Sequence, residues 1–170
     1  KTGAEIRIGK ASYTIFNKIV LNDVLFKDHN GDTLIAVQKI DLRIREFNPS
    51  GKVFRFGRAD LYKPDFRMIT DTSGVMNLSR YIDAIRSNKP SDTTKNLDIS
   101  FPNIEIIDGS FSLINRNDTI GSRQGYVNFK DLRVSSMNAK IRDLQIVPDS
   151  VSMNIRNMSF TESGGFNCKK

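Results

Sequence analysis

A chain of 170 residues, 26% of them charged and 38% apolar, is long enough to bury a real core and is neither a disordered polyampholyte nor a bundle of membrane helices. Its net charge of +7 favours anionic partners, with nucleic acid, phospholipid headgroups and acidic protein surfaces all open on charge alone. The single cysteine, Cys168, excludes an internal disulfide.

The chain opens at Lys1 without an initiator Met and reads as a piece excised from a longer protein. Its first long apolar stretch, "YTIFNKIVL", is broken by Asn17 and Lys18, well short of the roughly 18 residues that span a bilayer. "DHNGD" follows, with Asn30-Gly31 suited to the positive φ of a tight hairpin turn. In "IDLRIREF", Ile40, Leu42 and Ile44 alternate with Asp41, Arg43 and Arg45, so one face of a strand is apolar and the other charged. "NPSG" at 48–51 marks a turn, after which Phe54 and Phe56 continue the apolar row.

Leu61, Phe66 and Met68 extend it through "LYKPDFRMI", although Leu61 and Phe66 break strict parity around Pro64, which has no N–H and marks an edge or a bulge. "DTSG" turns the chain. Asn77 then stands as the N-cap of a helix over about 77–87, in which Leu78, Ile82 and Ile85 recur at helical spacing and cap one end of the sheet. The polar stretch at 87–96 reads as a loop. Beyond it come the pairs Ile104 and Ile106, Phe111 and Leu113, and Val127 and Phe129, with Asp108-Gly109 read as a turn. Leu144 and Ile146, then Val151, Met153 and Ile155, then Met158 and Phe160 complete the series, before a turn at Gly164-Gly165.

The period of two throughout predicts a single mainly β unit over 1–170, an antiparallel sheet with one wet face, carrying one short helix. The basic residues stand singly on the polar-facing positions, the pattern of a solvated face. Phe111 and Phe129 share parity with aliphatic neighbours rather than forming a stacking platform, so no nucleic acid partner is expected.

Catalytic chemistry finds little to work with. The one histidine, His29, sits in the hairpin turn. Asp28, Asn30 and Asp32 match the start of a calcium loop, but the position of its closing acid is Lys39. No phosphate-binding glycine pattern or nucleophile elbow occurs. The expectation is a protein that is not an enzyme, with no catalytic residue, metal or cofactor.

The stretch "KTGAEIRIGKASYTIFNKIVLNDVLFKDHNGDTLIAVQKIDLRIR" resembles the start of the AsmA-like proteins, in particular the TamB-type translocation and assembly module family of Bacteroidetes. An L-x-D-V-x-F-x-D pattern runs from Leu21 to Asp28, then a hairpin and "IDLRI". Leu61, Pro64, Phe66, Gly74, Asn77 and Leu78 fit the family's strand-to-helix passage, and "IDGSFSLIN" and "VSMNIRNMSFTESGGF" are similar to its later strands. The family's transmembrane helix and long C-terminal β domain are absent from this sequence, as an excised periplasmic segment would have it.

The resemblance implies an elongated antiparallel sheet curled into a β-groove or roll, in the periplasm of a Gram-negative bacterium, on a parent anchored in the inner membrane. It implies shielding or carriage of phospholipid acyl chains between the inner and outer membranes. Ile40, Leu42, Ile44, Phe54, Phe56, Phe66, Met68, Ile104, Ile106, Phe111, Leu113, Val127 and Phe129 are then the groove candidates. The alternative function is a structural adaptor that aids outer-membrane protein assembly or secretion by edge-strand pairing, with an outer-membrane β-barrel assembly protein as the family-implied partner. A one-sided sheet must bury its apolar face, either by curling around a lipid or by closing into a dry sandwich.

Overall fold

A computed structural model describes residues 5–14, 17–28, 30–48, 50, 53–79, 98–117, 125–147 and 150–169. Eight strands, β1 (Glu5–Thr14), β2 (Lys18–Lys27), β3 (Thr33–Asn48), β4 (Val53–Thr70), β5 (Asp98–Asn115), β6 (Asp131–Val147), β7 (Ser150–Glu162) and β8 (Asn167–Cys168), lie side by side in sequence order in one open sheet. The fold is mainly β, as expected, with helical residues at 77–79. The rest of the expected helix, with Ile82 and Ile85, and the polar loop at 87–96 lie outside the described residues. No described helix is long and apolar enough to cross a membrane.

The sheet is mixed rather than purely antiparallel. Every pairing is antiparallel except that of β4 with β5, which is parallel. Parallel neighbours need a crossover of a dozen or more residues, and residues 71–97 supply its length. Two antiparallel meanders, β1–β4 and β5–β8, are thereby joined at the middle of the sheet.

Asp108-Gly109 is not a turn. Strand β5 runs unbroken through it, and Asp108 has φ 53. The register explains why. Gly9, Asp23, Gln38 and Lys63 drop out of the pairing of β1 to β4 at successive places in one row, and Lys63 and Asp108 drop out of the pairing of β4 with β5. Asp23 and Lys63 are left-handed too, at φ 53 and φ 49, and Ser136 in β6 and Asn157 in β7 both have φ 50. A left-handed residue inside a strand bends it and breaks the alternation of its side chains.

A crease therefore crosses the sheet, and apolar parity flips at it. On one side Ile19, Leu42, Ala59, Ile104 and Ile141 are consecutive cross-strand partners, as are Leu21, Ile40, Leu61, Ile106 and Ala139. On the other side the rows are Phe26, Ile35, Phe66, Phe111 and Val134, and then Met68, Leu113 and Leu132. Direct partners share a face. The odd-numbered Leu61 and the even-numbered Phe66 thus end on the same apolar surface, with Lys63 as the corner between them.

Burial follows the crease. The core cluster of Ile106, Val134, Met137 and Ala139 takes side chains from both sides of it and packs against Phe66, Phe111 and Ile141. Pro64 is fully buried, and a Cβ on Gly109 would stand 3.0 Å from its Cγ. Away from the crease the same face is half-buried at Leu21, Ile40 and Leu42, and it opens to solvent at the edge strands, with Ile8 48% and Ile155 54% exposed.

Candidate functional site: an apolar groove along the crease

The hairpin at Asp28 is a structural unit. Asp28 is buried, and its Oδ1 accepts from the backbone N–H of Asn30 at 2.8 Å and of Asp32 at 2.9 Å, while Gly31 has φ 82. His29 lies outside the described residues. Asn77 is buried as well. Its Oδ1 accepts from the Ile69 N–H at 3.1 Å and its Nδ2 donates to the Arg67 carbonyl at 3.0 Å, which ties the start of the helix back to β4. Leu78 is half-buried beside it.

The groove candidates divide by where the crease places them. Ile40, Leu42, Ile104 and Ile106 lie on the first arm, and Phe66, Met68, Phe111 and Leu113 on the second. Ile44 pairs with Phe56 across bulges at Arg43 to Glu46, and Phe56 stacks on Phe101 with ring centroids 4.4 Å apart and planes 12° from parallel. The backbone of Phe54 pairs with Phe47, and its side chain lies outside what is described. Val127 and Phe129 are not a strand pair as the alternation suggested. They lie on the irregular segment before β6, 36% and 74% exposed.

That segment rims a concavity of about 500 Å³, in which Val127 and Phe129 face Phe111, Leu132, Met158 and Phe160. The Gly125 N–H donates to the Gly164 carbonyl at 2.9 Å, holding the segment against the turn between β7 and β8. A Cβ on Gly164 would sit 2.4 Å from the Tyr126 carbonyl oxygen, so no other residue fits there without movement. Glu162 is buried at the end of the concavity, where Oε2 accepts from the Gly164 N–H at 2.7 Å and Oε1 from the Ser163 hydroxyl at 3.0 Å. Its carboxylate organises the turn.

Val134, Met137 and Ala139 are lining or core residues that the sequence pattern did not single out. Their alternation is interrupted at Ser135-Ser136, so a strict period-two reading loses the strand there.

On the first arm the opposite face is charged. Asp41, Asp60 and Glu105 are consecutive cross-strand partners and would repel one another if left alone. Lys18 and Lys39 reach Asp41 at 2.9 and 3.1 Å, and Arg58 reaches both Asp60 at 2.7 Å and Glu105 at 2.8 Å. Burial pushes the Asp41 carboxyl up, but hydrogen bonds from Lys18 and Lys39, with their charges, outweigh it and hold the group below the ordinary carboxylate value. Among the described residues no group of three or more His, Cys, Asp or Glu side chains is placed to hold a metal ion. Against known proteins, the chain matches no family model, no curated protein and no solved structure.

Proposed function

We propose that this chain is a periplasmic segment of an inner-membrane-anchored envelope-biogenesis protein, and that its creased apolar face shields phospholipid acyl chains in passage between membranes. The observation that carries the reading is the continuous apolar surface over β2 to β6, buried along the crease and without a second layer over it among the described residues. Such a surface is a binding face or an aggregation hazard. Each methylene removed from water contributes about 0.8 kcal/mol, so about ten methylenes laid along the groove give roughly 8 kcal/mol before ordering costs. That sets about 1 μM as the tightest affinity, from which the ordering costs subtract. The reading has no catalytic step in it.

Photo-crosslinking residues at Leu42 and Ile104, on the apolar face, are expected to capture phospholipid when the protein is purified from bacterial membranes, and one at Asp60 to capture none. Equal yields at all three positions, or none at any, would sink the proposal.

A second reading has its own observation. The outer edge of β1 is unpaired among the described residues and carries Ile6 at 66% and Ile8 at 48% exposure. Such an edge accepts an added strand, as an adaptor to an outer-membrane β-barrel assembly protein would require. Crosslinks from Lys10 to such a barrel, with no lipid captured at Leu42, would favour it.

A further inference from the structure

On the charged face, beyond the three partnered acids, Lys140, Arg142 and Arg156 line a concavity of about 550 Å³ together with Asn103 and Asn157, and Asp143 is the one acid among its lining residues. Two features of this place are unfavourable for the fold alone. Lys140 and Arg156 are direct cross-strand partners, a like-charge pair that a sheet ordinarily avoids. The concavity is bounded by Asp143 and Asn157, both left-handed at φ 53 and φ 50, next to register shifts in β6 and β7. Such bulges re-aim side chains.

The nearby acids do not neutralise the cluster. Glu105 is bound by Arg58 at 2.8 Å and reaches Lys140 only at 4.0 Å. Arg142 and Arg156 have no ion-pair partner among the described residues. Two guanidinium groups, an ammonium and two side-chain amides around one concavity offer the planar, multiply donating surface that suits a tetrahedral oxyanion.

We propose that this concavity is an anion site that takes a phosphate group, either inorganic phosphate or the phosphodiester of a lipid headgroup. The site lies on the face opposite the groove and is independent of what the groove carries.

The test titrates the whole chain with inorganic phosphate at constant ionic strength, by calorimetry, against the double variant Arg142→Gln/Arg156→Gln and the charge-matched control Lys10→Gln/Arg43→Gln. All four side chains are exposed, and melting curves establish that each variant folds. The wild type is expected to bind saturably in about the millimolar range, the site variant about tenfold more weakly, and the control within about twofold of wild type. Flotation with phosphatidylglycerol and phosphatidylcholine vesicles separates the two sources. Retention on phosphatidylglycerol that falls with the site variant alone assigns the headgroup, and saturable phosphate binding without vesicle retention assigns the free ion. Absence of saturable phosphate binding, or equal losses in both variants, overturns the proposal.

Discussion

Replacing Lys63 tests the crease, because a straight strand and a creased one predict opposite orders of stability. Lys63 has φ 49 in β4, its side chain is 64% exposed, and its ion-pair partner Asp108 is 4.0 Å away and exposed as well. An exposed pair at that distance contributes a few tenths of a kcal/mol at most, so removing the amine changes little. What remains is the backbone. A left-handed conformation costs an L-residue about 1–2 kcal/mol and a β-branched residue more, whereas glycine adopts it freely and gives back about 0.5–1 kcal/mol in unfolded-chain entropy. Lys63→Gly should therefore leave stability unchanged or raise it by up to about 1 kcal/mol, and Lys63→Ile should lower it by about 1–2 kcal/mol. In a chain of this length 1 kcal/mol moves the melting temperature by about 2–4 °C, which separates the variants by at least about 2 °C in a calorimetric scan. A straight, half-buried strand prefers isoleucine to glycine by about 1 kcal/mol. An isoleucine variant that melts above the glycine variant would refute the crease.

Two further outcomes test the open face and the charged one. Met137 is 6% exposed at the crease and Ile155 is 54% exposed on β7, so Met137→Ala should cost about 2–4 kcal/mol in urea denaturation and Ile155→Ala less than about 1. Comparable costs at both positions would mean that a second layer covers the face, as in a closed sandwich. Because the folded Asp41 carboxyl is held below its ordinary value, its stabilising contribution is present at neutral pH and is lost as the pH falls below about 4 and through the folded value. Asp41→Asn should therefore lower stability at neutral pH by about 1 kcal/mol, and the gap to wild type should close in acid. A gap that persists in strong acid would separate the effect from the Lys18 and Lys39 pairing.

The face assignments of individual strands were legible because burial on one face imposes a period of two over short distances. Ile40, Leu42 and Ile44 against Asp41, Arg43 and Arg45 needed nothing more, and the break around Pro64 was visible as an irregularity. Its cause was not, because a single Lys at φ 49 has no distinctive residue signature. The same limit turned Asp108-Gly109 into a turn on paper. Asp-Gly tolerates positive φ in a hairpin and in a strand corner alike, and only the register of β4 and β6 on either side of β5 shows which it is.

The sequence by itself determined that the chain forms strands with one apolar and one charged face, since alternation is a local property of neighbouring residues. Tertiary structure decided the parallel joint between β4 and β5, the row of corners that brings Leu61 and Phe66 onto one surface, and the meeting of Lys140, Arg142 and Arg156 in one concavity. Each of these depends on which strand lies beside which and at what offset. A one-residue change in that offset reverses every side chain, so the pairing itself carries the information.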